Sequence, residues 1–295
     1  MKKAPFTGSA VAIVTPLNEN GIDYEAYDRL IEFQIANSTD AIVVAGTTGE
    51  ASTLTDDEHV EIIRYTVEKV AGRVPVIAGT GSNDTAYAIE LSKAAEKAGA
   101  DALLLVTPYY NKTSQRGLYQ HFKLNAEAVN IPVILYNVPG RTGMNISVDT
   151  CKKLSEVENI VAIKEASGDI GLAAKIAAAC GDNLYLYSGN DDMITPMLSL
   201  GGKGVISVLA NVCPKETHDI CAYYFEGDVK KSAALQLEYL DLVDALFCEV
   251  NPIPVKTALN MMGFEVGEFR LPLYEMADNN KETLRKALAN HGCIK

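Results

Sequence analysis

Ala102-Leu103-Leu104-Leu105-Val106-Thr107-Pro108 is an unbroken apolar run that stops on a threonine and a proline. No polar residue alternates within it, so it reads as a parallel strand covered on both faces rather than one with a wet side. Seven similar runs flank it: Ser9–Thr15, Ala41–Gly46, Pro75–Gly79, Pro132–Pro139, Ile160–Ser167, Leu184–Asn190 and Lys203–Ala210. Counted from Val11, Ala41, Pro75, Ala102, Pro132, Ile160, Leu184 and Lys203, the steps are 30, 34, 27, 30, 28, 24 and 19 residues. The intervals carry helix signals. Thr55-Asp56-Asp57-Glu58 reads as an N-cap with an acidic first turn, and Asn83-Asp84 opens another helix. Eight strand-then-helix units predict an α/β fold, a (β/α)8 TIM barrel.

A doubly wound open sheet also alternates strand and helix. Its dinucleotide loop is missing, because Gly79-Thr80-Gly81-Ser82-Asn83-Asp84 lacks the third glycine. Gly201-Gly202-Lys203-Gly204 likewise lacks the Ser or Thr of a phosphate loop. Past Ala210 the strand pattern stops. Pro214–Phe225 reads as the eighth helix, and Val229, Ala233, Leu237, Leu240, Val243 and Phe247 mark one face of a further amphipathic helix. Asn251-Pro252-Ile253-Pro254 ends it, with two more helical stretches near Val255–Met262 and Lys281–Asn290. The expected organisation is a barrel over 1–225 and a C-terminal helical region over 226–295 packed on it.

The chain has 295 residues, 48% hydrophobic and 22% charged, which supplies ample core and excludes general disorder. Its net charge of −12 opposes polyanions, so neither nucleic acid nor an acidic membrane is an expected partner. No apolar run nears the roughly 18 residues of a spanning helix. The N-terminal segment lacks a signal-peptide cleavage pattern, and a cytoplasmic protein is expected. Six cysteines, at 151, 180, 213, 221, 248 and 293, form no CxxC; they read as small hydrophobes in a reducing compartment. His59, His121, His218 and His291 have no metal-binding spacing and read as helix-surface residues; Asp56-Asp57-Glu58 and Asp191-Asp192 read as helix-start acids. No metal site is expected.

Barrel enzymes gather their chemistry at the C-terminal ends of the strands. Lys164 is the most telling residue there. A lysine late in an apolar strand pays desolvation unless paired, and desolvation favours the neutral amine. Such an amine can attack a ketone and form a Schiff base. The blander alternatives are a snorkelling head group or an ion pair. Tyr136, one strand away at similar height, can shuttle protons for that chemistry, although a strand-end tyrosine also serves simply as a packed ring. Thr47 and Thr48 sit in a glycine-flanked turn suited to a carboxylate, or to an ordinary helix start. Arg141 offers a bidentate fork for a second carboxylate, or is a solvated loop arginine. Tyr109-Tyr110 is aromatic surface or an interface anchor.

Taken in order, Gly46-Thr47-Thr48-Gly49-Glu50, Thr107-Pro108-Tyr109-Tyr110-Asn111, Tyr136-Asn137-Val138-Pro139, Arg141-Thr142-Gly143, the Lys164 strand, Gly204-Val205-Ile206-Ser207 and Asn251-Pro252-Ile253-Pro254-Val255-Lys256 resemble the dihydrodipicolinate synthase (4-hydroxy-tetrahydrodipicolinate synthase) family. The match spans nearly the whole chain. The wider group includes N-acetylneuraminate lyase and 2-keto-3-deoxy sugar acid aldolases, all pyruvate Schiff-base enzymes. The resemblance implies an imine between Lys164 and pyruvate with no separate cofactor, and a proton relay of Tyr136, Thr47 and Tyr110, the last reaching into a neighbouring subunit. It implies that Thr48 and the backbone around Ile206 hold the pyruvate carboxylate with Gly189 nearby, and that Arg141 binds the carboxylate of L-aspartate 4-semialdehyde. It also implies a homotetramer in lysine and diaminopimelate biosynthesis. Sister aldolases share Lys164 and Tyr136; Arg141 and the Thr47-Thr48 pair favour the synthase over them. The intact set also weighs against a silent keto-acid sensor.

Some members are inhibited by lysine in an interface pocket whose positions correspond to Ala51, Ser52, Leu54, Asp56, His59, Asn83, Tyr87 and Tyr109. Lysine-sensitive members have an acid where this chain has Tyr87 and a histidine where it has Asp56. Losing a carboxylate partner for the lysine ammonium costs about 1.5–3 kcal/mol, so weak or absent inhibition is expected.

Overall fold

The computed structural model describes residues Lys2–Lys295. Eight parallel strands close into a barrel: β1 (Gly8–Ala12), β4 (Ala41–Val44), β5 (Val76–Gly79), β6 (Ala102–Val106), β7 (Val133–Asn137), β8 (Ile160–Glu165), β9 (Tyr185–Ser188) and β10 (Gly204–Ser207), with β1 pairing both β4 and β10. A small antiparallel hairpin, β2 (Leu17–Asn18) and β3 (Gly21–Ile22), leads into the first helix. Seven of the strands lie inside an apolar run, and β1 starts one residue before its run, at Gly8. The runs overshoot at their ends because the following turn residues are also apolar and buried, as with Val138 and Val208.

Helices α1 (Tyr24–Ala36), α2 (Asp56–Val70), α3 (Thr85–Lys97) and α4 (Gln115–Glu127) fill the first intervals. They are followed by the short turn α5 (Pro139–Thr142), then α6 (Val148–Leu154), α7 (Ile170–Cys180), α8 (Ile194–Ser199) and α9 (Pro214–Phe225). The start of α2 is a capping box: Glu58 N donates to Thr55 Oγ1 at 3.3 Å, and Thr55 N donates to Glu58 Oε2 at 2.9 Å. Asp84 caps α3 with its side chain alone, Ala86 N donating to its carboxylate.

Strand alternation divides the side chains into two cores. Ala10, Val43, Ile77, Leu104, Ile134, Ala162, Tyr187 and Ile206 fill the barrel interior, with Phe6 among them at its N-terminal end. Val11, Ile42, Ala78, Leu103, Leu135 and Ile163 face outward against the helices. The outer core runs without interruption into the C-terminal region, where Leu242, Leu246, Val255, Leu259, Leu284 and Leu288 join the same cluster.

The single amphipathic helix expected from Val229 to Phe247 is two: α10 (Val229–Glu238) and α11 (Leu240–Leu246), broken at Tyr239. The face picked out by apolar spacing holds in α11, where Val243 is buried, but in α10 it is not the buried one. Val229, Leu237 and Phe247 are exposed, whereas Ser232 and Gln236 are buried. Those polar side chains go inside because each has partners: Ser232 Oγ donates to Ile220 O at 2.7 Å, and Gln236 Oε1 accepts from Thr195 N at 2.6 Å. Two helices remain, α12 (Ile253–Met261), started by prolines, and α13 (Asp278–Asn290).

Candidate active site

Lys164 and Tyr136 are direct cross-strand partners in the β7–β8 register, and both face the barrel interior. Lys164 is 6% exposed, and its Nζ lies 4.4 Å from the centroid of the Tyr136 ring. Among the described residues no carboxylate forms an ion pair with it, which removes the ion-pair alternative. On the other flank Tyr187 is paired with Lys164 in register. Its hydroxyl donates to Phe6 O at 2.6 Å and its ring stacks on Phe6, so an aromatic pair floors the space around the lysine. Gly189 closes the side. A Cβ there would lie 2.5 Å from Ala166 Cβ and 3.1 Å from both Cγ and Cε of Lys164.

Two outward-facing neighbours brace the strand ends from behind. Glu165 is buried and accepts from Asn137 Nδ2 at 2.7 Å and from Ser167 N at 2.6 Å. Burial raises its carboxyl pKa against those hydrogen bonds. Asn137 Oδ1 in turn accepts from Ile146 N, which fixes the loop after α5.

The mouth is shaped by three loops. In the Gly46–Glu50 turn Thr48 is buried and Thr47 exposed. Thr48 Oγ1 accepts from Asn251 Nδ2 at 3.0 Å, and Arg141 donates to Asn251 O at 3.2 Å. One asparagine of the C-terminal region thus touches both residues read as carboxylate binders. Among the described residues its Oδ1 is buried without a hydrogen-bond partner, as are Oδ1 of Asn190 and of Asp191. Ile206 is fully buried on β10, facing inward. Tyr110 stands apart: it is 92% exposed on a backbone with φ 66°. No hydrogen bond joins Tyr136, Thr47 and Tyr110 within the chain among the described residues.

Several sequence expectations need correction. His59 and His121 are buried rather than on helix surfaces. His59 Nε2 bonds Gly79 O at 2.8 Å and His121 Nδ1 bonds Thr85 Oγ1 at 2.9 Å; desolvation pulls the His121 pKa down to about 4. Asp191 is the expected helix-start acid, in the first turn of the short helix Asp191–Met193, but it does more than favour that turn. It is buried, and Oδ2 accepts from Val208 N and Leu209 N at 3.0 and 2.9 Å, holding the turn after β10. Cys151, Cys180, Cys213 and Cys221 are buried, but Cys248 is exposed. The thiols of Cys213 and Cys293 lie 3.5 Å apart, a proximity that linear spacing could not signal. Among the described residues no cluster of His, Cys, Asp or Glu could hold a metal ion, and no helix is long and apolar enough to cross a membrane.

A family model described as the dihydrodipicolinate synthetase family matches residues 5–291. The chain belongs to that family. A 4-hydroxy-tetrahydrodipicolinate synthase of Acetivibrio thermocellus is 58% identical over 294 residues, covering 100% of both chains. The solved dihydrodipicolinate synthase of Aquifex aeolicus superposes with a TM-score of 0.95 at 48% identity, covering 98% of this chain and 99% of the other. A dihydrodipicolinate synthase from Acinetobacter baumannii, solved in complex with pyruvate, gives the same TM-score, identity and coverage. The barrel with C-terminal helices is therefore the family architecture.

Proposed function

We infer that the chain is a lyase that condenses pyruvate with L-aspartate 4-semialdehyde to 4-hydroxy-tetrahydrodipicolinate, in lysine and diaminopimelate biosynthesis. Family membership and 58% identity to synthases of that product support the reaction. The observation that carries the residue assignment is an unpaired, buried Lys164 set against the Tyr136 ring.

In this reading Lys164 Nζ attacks the keto carbon of pyruvate, and loss of water leaves an imine, so no separate cofactor is needed. Tyr136 carries the protons of addition and dehydration. Thr48 and the backbone around Ile206 hold the pyruvate carboxylate beside Gly189, and Thr47 passes protons outward. Removal of a methyl proton gives the enamine, which attacks the aldehyde carbon of the second substrate while Arg141 holds that substrate's carboxylate. The substrate amine then displaces Lys164 and closes the ring. The high exposure of Tyr110 supports its completing a neighbouring subunit's relay in a cytoplasmic homotetramer. Inhibition by lysine is weak: Asp56 already accepts a 2.7 Å hydrogen bond from Tyr87, whose own pKa rises to about 12 through that contact.

The test is pyruvate consumption with L-aspartate 4-semialdehyde, D-glyceraldehyde and N-acetylmannosamine offered separately. Preference for the semialdehyde is expected. Preference for a sugar aldehyde would keep the Schiff base and remove the role given to Arg141. Strong inhibition by sub-millimolar lysine would contradict the reading of Tyr87 and Asp56.

A further inference from the structure

The turn that carries Thr47 and Thr48 ends on a residue with an unusual combination of properties. Glu50 is 2% exposed, and its backbone is left-handed at φ 55°, a conformation that is costly for a residue with a long side chain. Its carboxylate is held by the C-terminal region. Glu50 Oε1 accepts from Lys256 Nζ at 2.7 Å, and both side chains are 0% exposed. Lys256 Nζ also donates to Glu268 O at 2.6 Å, and Glu50 Oε2 accepts from Arg270 N at 3.3 Å. The backbone of the same turn is clamped elsewhere: Glu50 N donates to Thr47 O at 3.1 Å, and Thr15 Oγ1 donates to Gly49 O at 2.7 Å.

A fully buried ion pair is a weak source of stability, since desolvation offsets most of the attraction. Apolar residues would fill this space at lower cost. What the pair supplies that they would not is direction: a rigid tether from the first turn of α12 to one end of the Thr47-Thr48 turn. Asn251, just before α12, grips the middle of that turn through Thr48. Two attachments five residues apart on the C-terminal region therefore meet the turn at two points two residues apart.

We propose that Glu50 and Lys256 are positioning residues that hold the Thr47-Thr48 turn in the geometry needed to bind the keto-acid carboxylate. The inference rests on the role given above to Thr48. It makes the C-terminal region a part of the binding site rather than an attachment to it.

The test compares the wild type with Glu50→Leu/Lys256→Met, which exchanges the pair for apolar side chains, and with Glu50→Gln. Two readouts are needed besides thermal stability. One is the pyruvate concentration giving half-maximal borohydride-trapped adduct; the other is KM for each substrate in turnover. The double variant is expected to stay folded and to need about tenfold more pyruvate in both assays, with KM for the semialdehyde changed less than about twofold. Glu50→Gln is expected to fall between, at about threefold, and decides the matter if the double variant does not fold. Pyruvate dependence equal to wild type in folded variants, with activity falling only as the folded fraction falls, would overturn the proposal. A wild type that traps no pyruvate would instead overturn the reading of the site itself.

Discussion

Gly189→Ala is the sharpest perturbation the site offers. Gly189 has no left-handed backbone, so alanine brings no conformational penalty and only space decides the outcome. The added Cβ would sit 2.5 Å from Ala166 Cβ, where carbon–carbon contacts settle at about 3.5–4.0 Å. Ala166 has no rotamer to yield, so relief requires about 1 Å of movement between the loops after β8 and β9. The same Cβ lies 3.1 Å from Cγ and Cε of Lys164, about 0.5 Å inside normal contact, and pushes the amine-bearing chain as well. Overpacking on this scale costs about 1–3 kcal/mol of stability. A reacting group displaced by about 1 Å costs about a hundredfold in rate. The assay is single-turnover imine formation, with pyruvate trapped by borohydride and followed by intact mass. The rate should fall about 10²-fold while circular dichroism remains that of a folded barrel. Adding Ala166→Gly removes the worse contact and should recover part of the rate. A Gly189→Ala enzyme within about twofold of wild type would refute the packing argument.

Tyr136→Phe keeps the ring against Lys164 and removes only the phenol; turnover should drop about 10²–10⁴-fold, with pyruvate affinity little changed in the trapping assay. Arg141→Met should lower kcat/KM for the semialdehyde about ten- to a hundredfold and leave pyruvate trapping intact, as expected for a charged hydrogen-bond donor to the second substrate only. A pH-dependent pair ties α9 to the loop before β4. His218 Nδ1 meets Asp40 Oδ2 at 2.8 Å, and that hydrogen bond raises the His218 pKa. Its contribution is therefore full below the unfolded value of about 6.5 and is lost as pH rises through the folded value. His218→Asn should lower Tm at pH 5.5 by the equivalent of about 1 kcal/mol or less, and hardly at pH 9. Equal effects at both pH values would show that the pair's charge is not what matters.

The barrel was legible because parallel strands covered on both faces leave continuous apolar runs, and eight of them recur at helix-sized intervals. Capping was legible too, since Thr55 and Asp84 act through residues within three positions of themselves. Lys164 stood out because a lysine in Ile160-Val161-Ala162-Ile163 contradicts its surroundings. What escaped depends on partners distant in sequence. Asp191 reads as a helix-start acid, and it is one, but its hold on the distant turn at Val208 and Leu209 leaves no local signal. Asn251 and Lys256 lay in a quoted motif without a role, because their partners Thr48 and Glu50 are more than 200 residues away. Gly189 is informative only once Ala166 and Lys164 are seen against it. The buried face of α10 was misread for a related reason: apolar periodicity is blind to polar groups that bury when their hydrogen bonds are met.

Covalent chemistry at Lys164 leaves a mass signature, read by intact mass spectrometry after borohydride reduction with pyruvate. The expected adduct is one pyruvate, less one water and plus two hydrogens, located by peptide mapping at Lys164 and absent from Lys164→Ala. An adduct that persists in Lys164→Ala, or maps to the other buried lysine, Lys256, would contradict that assignment.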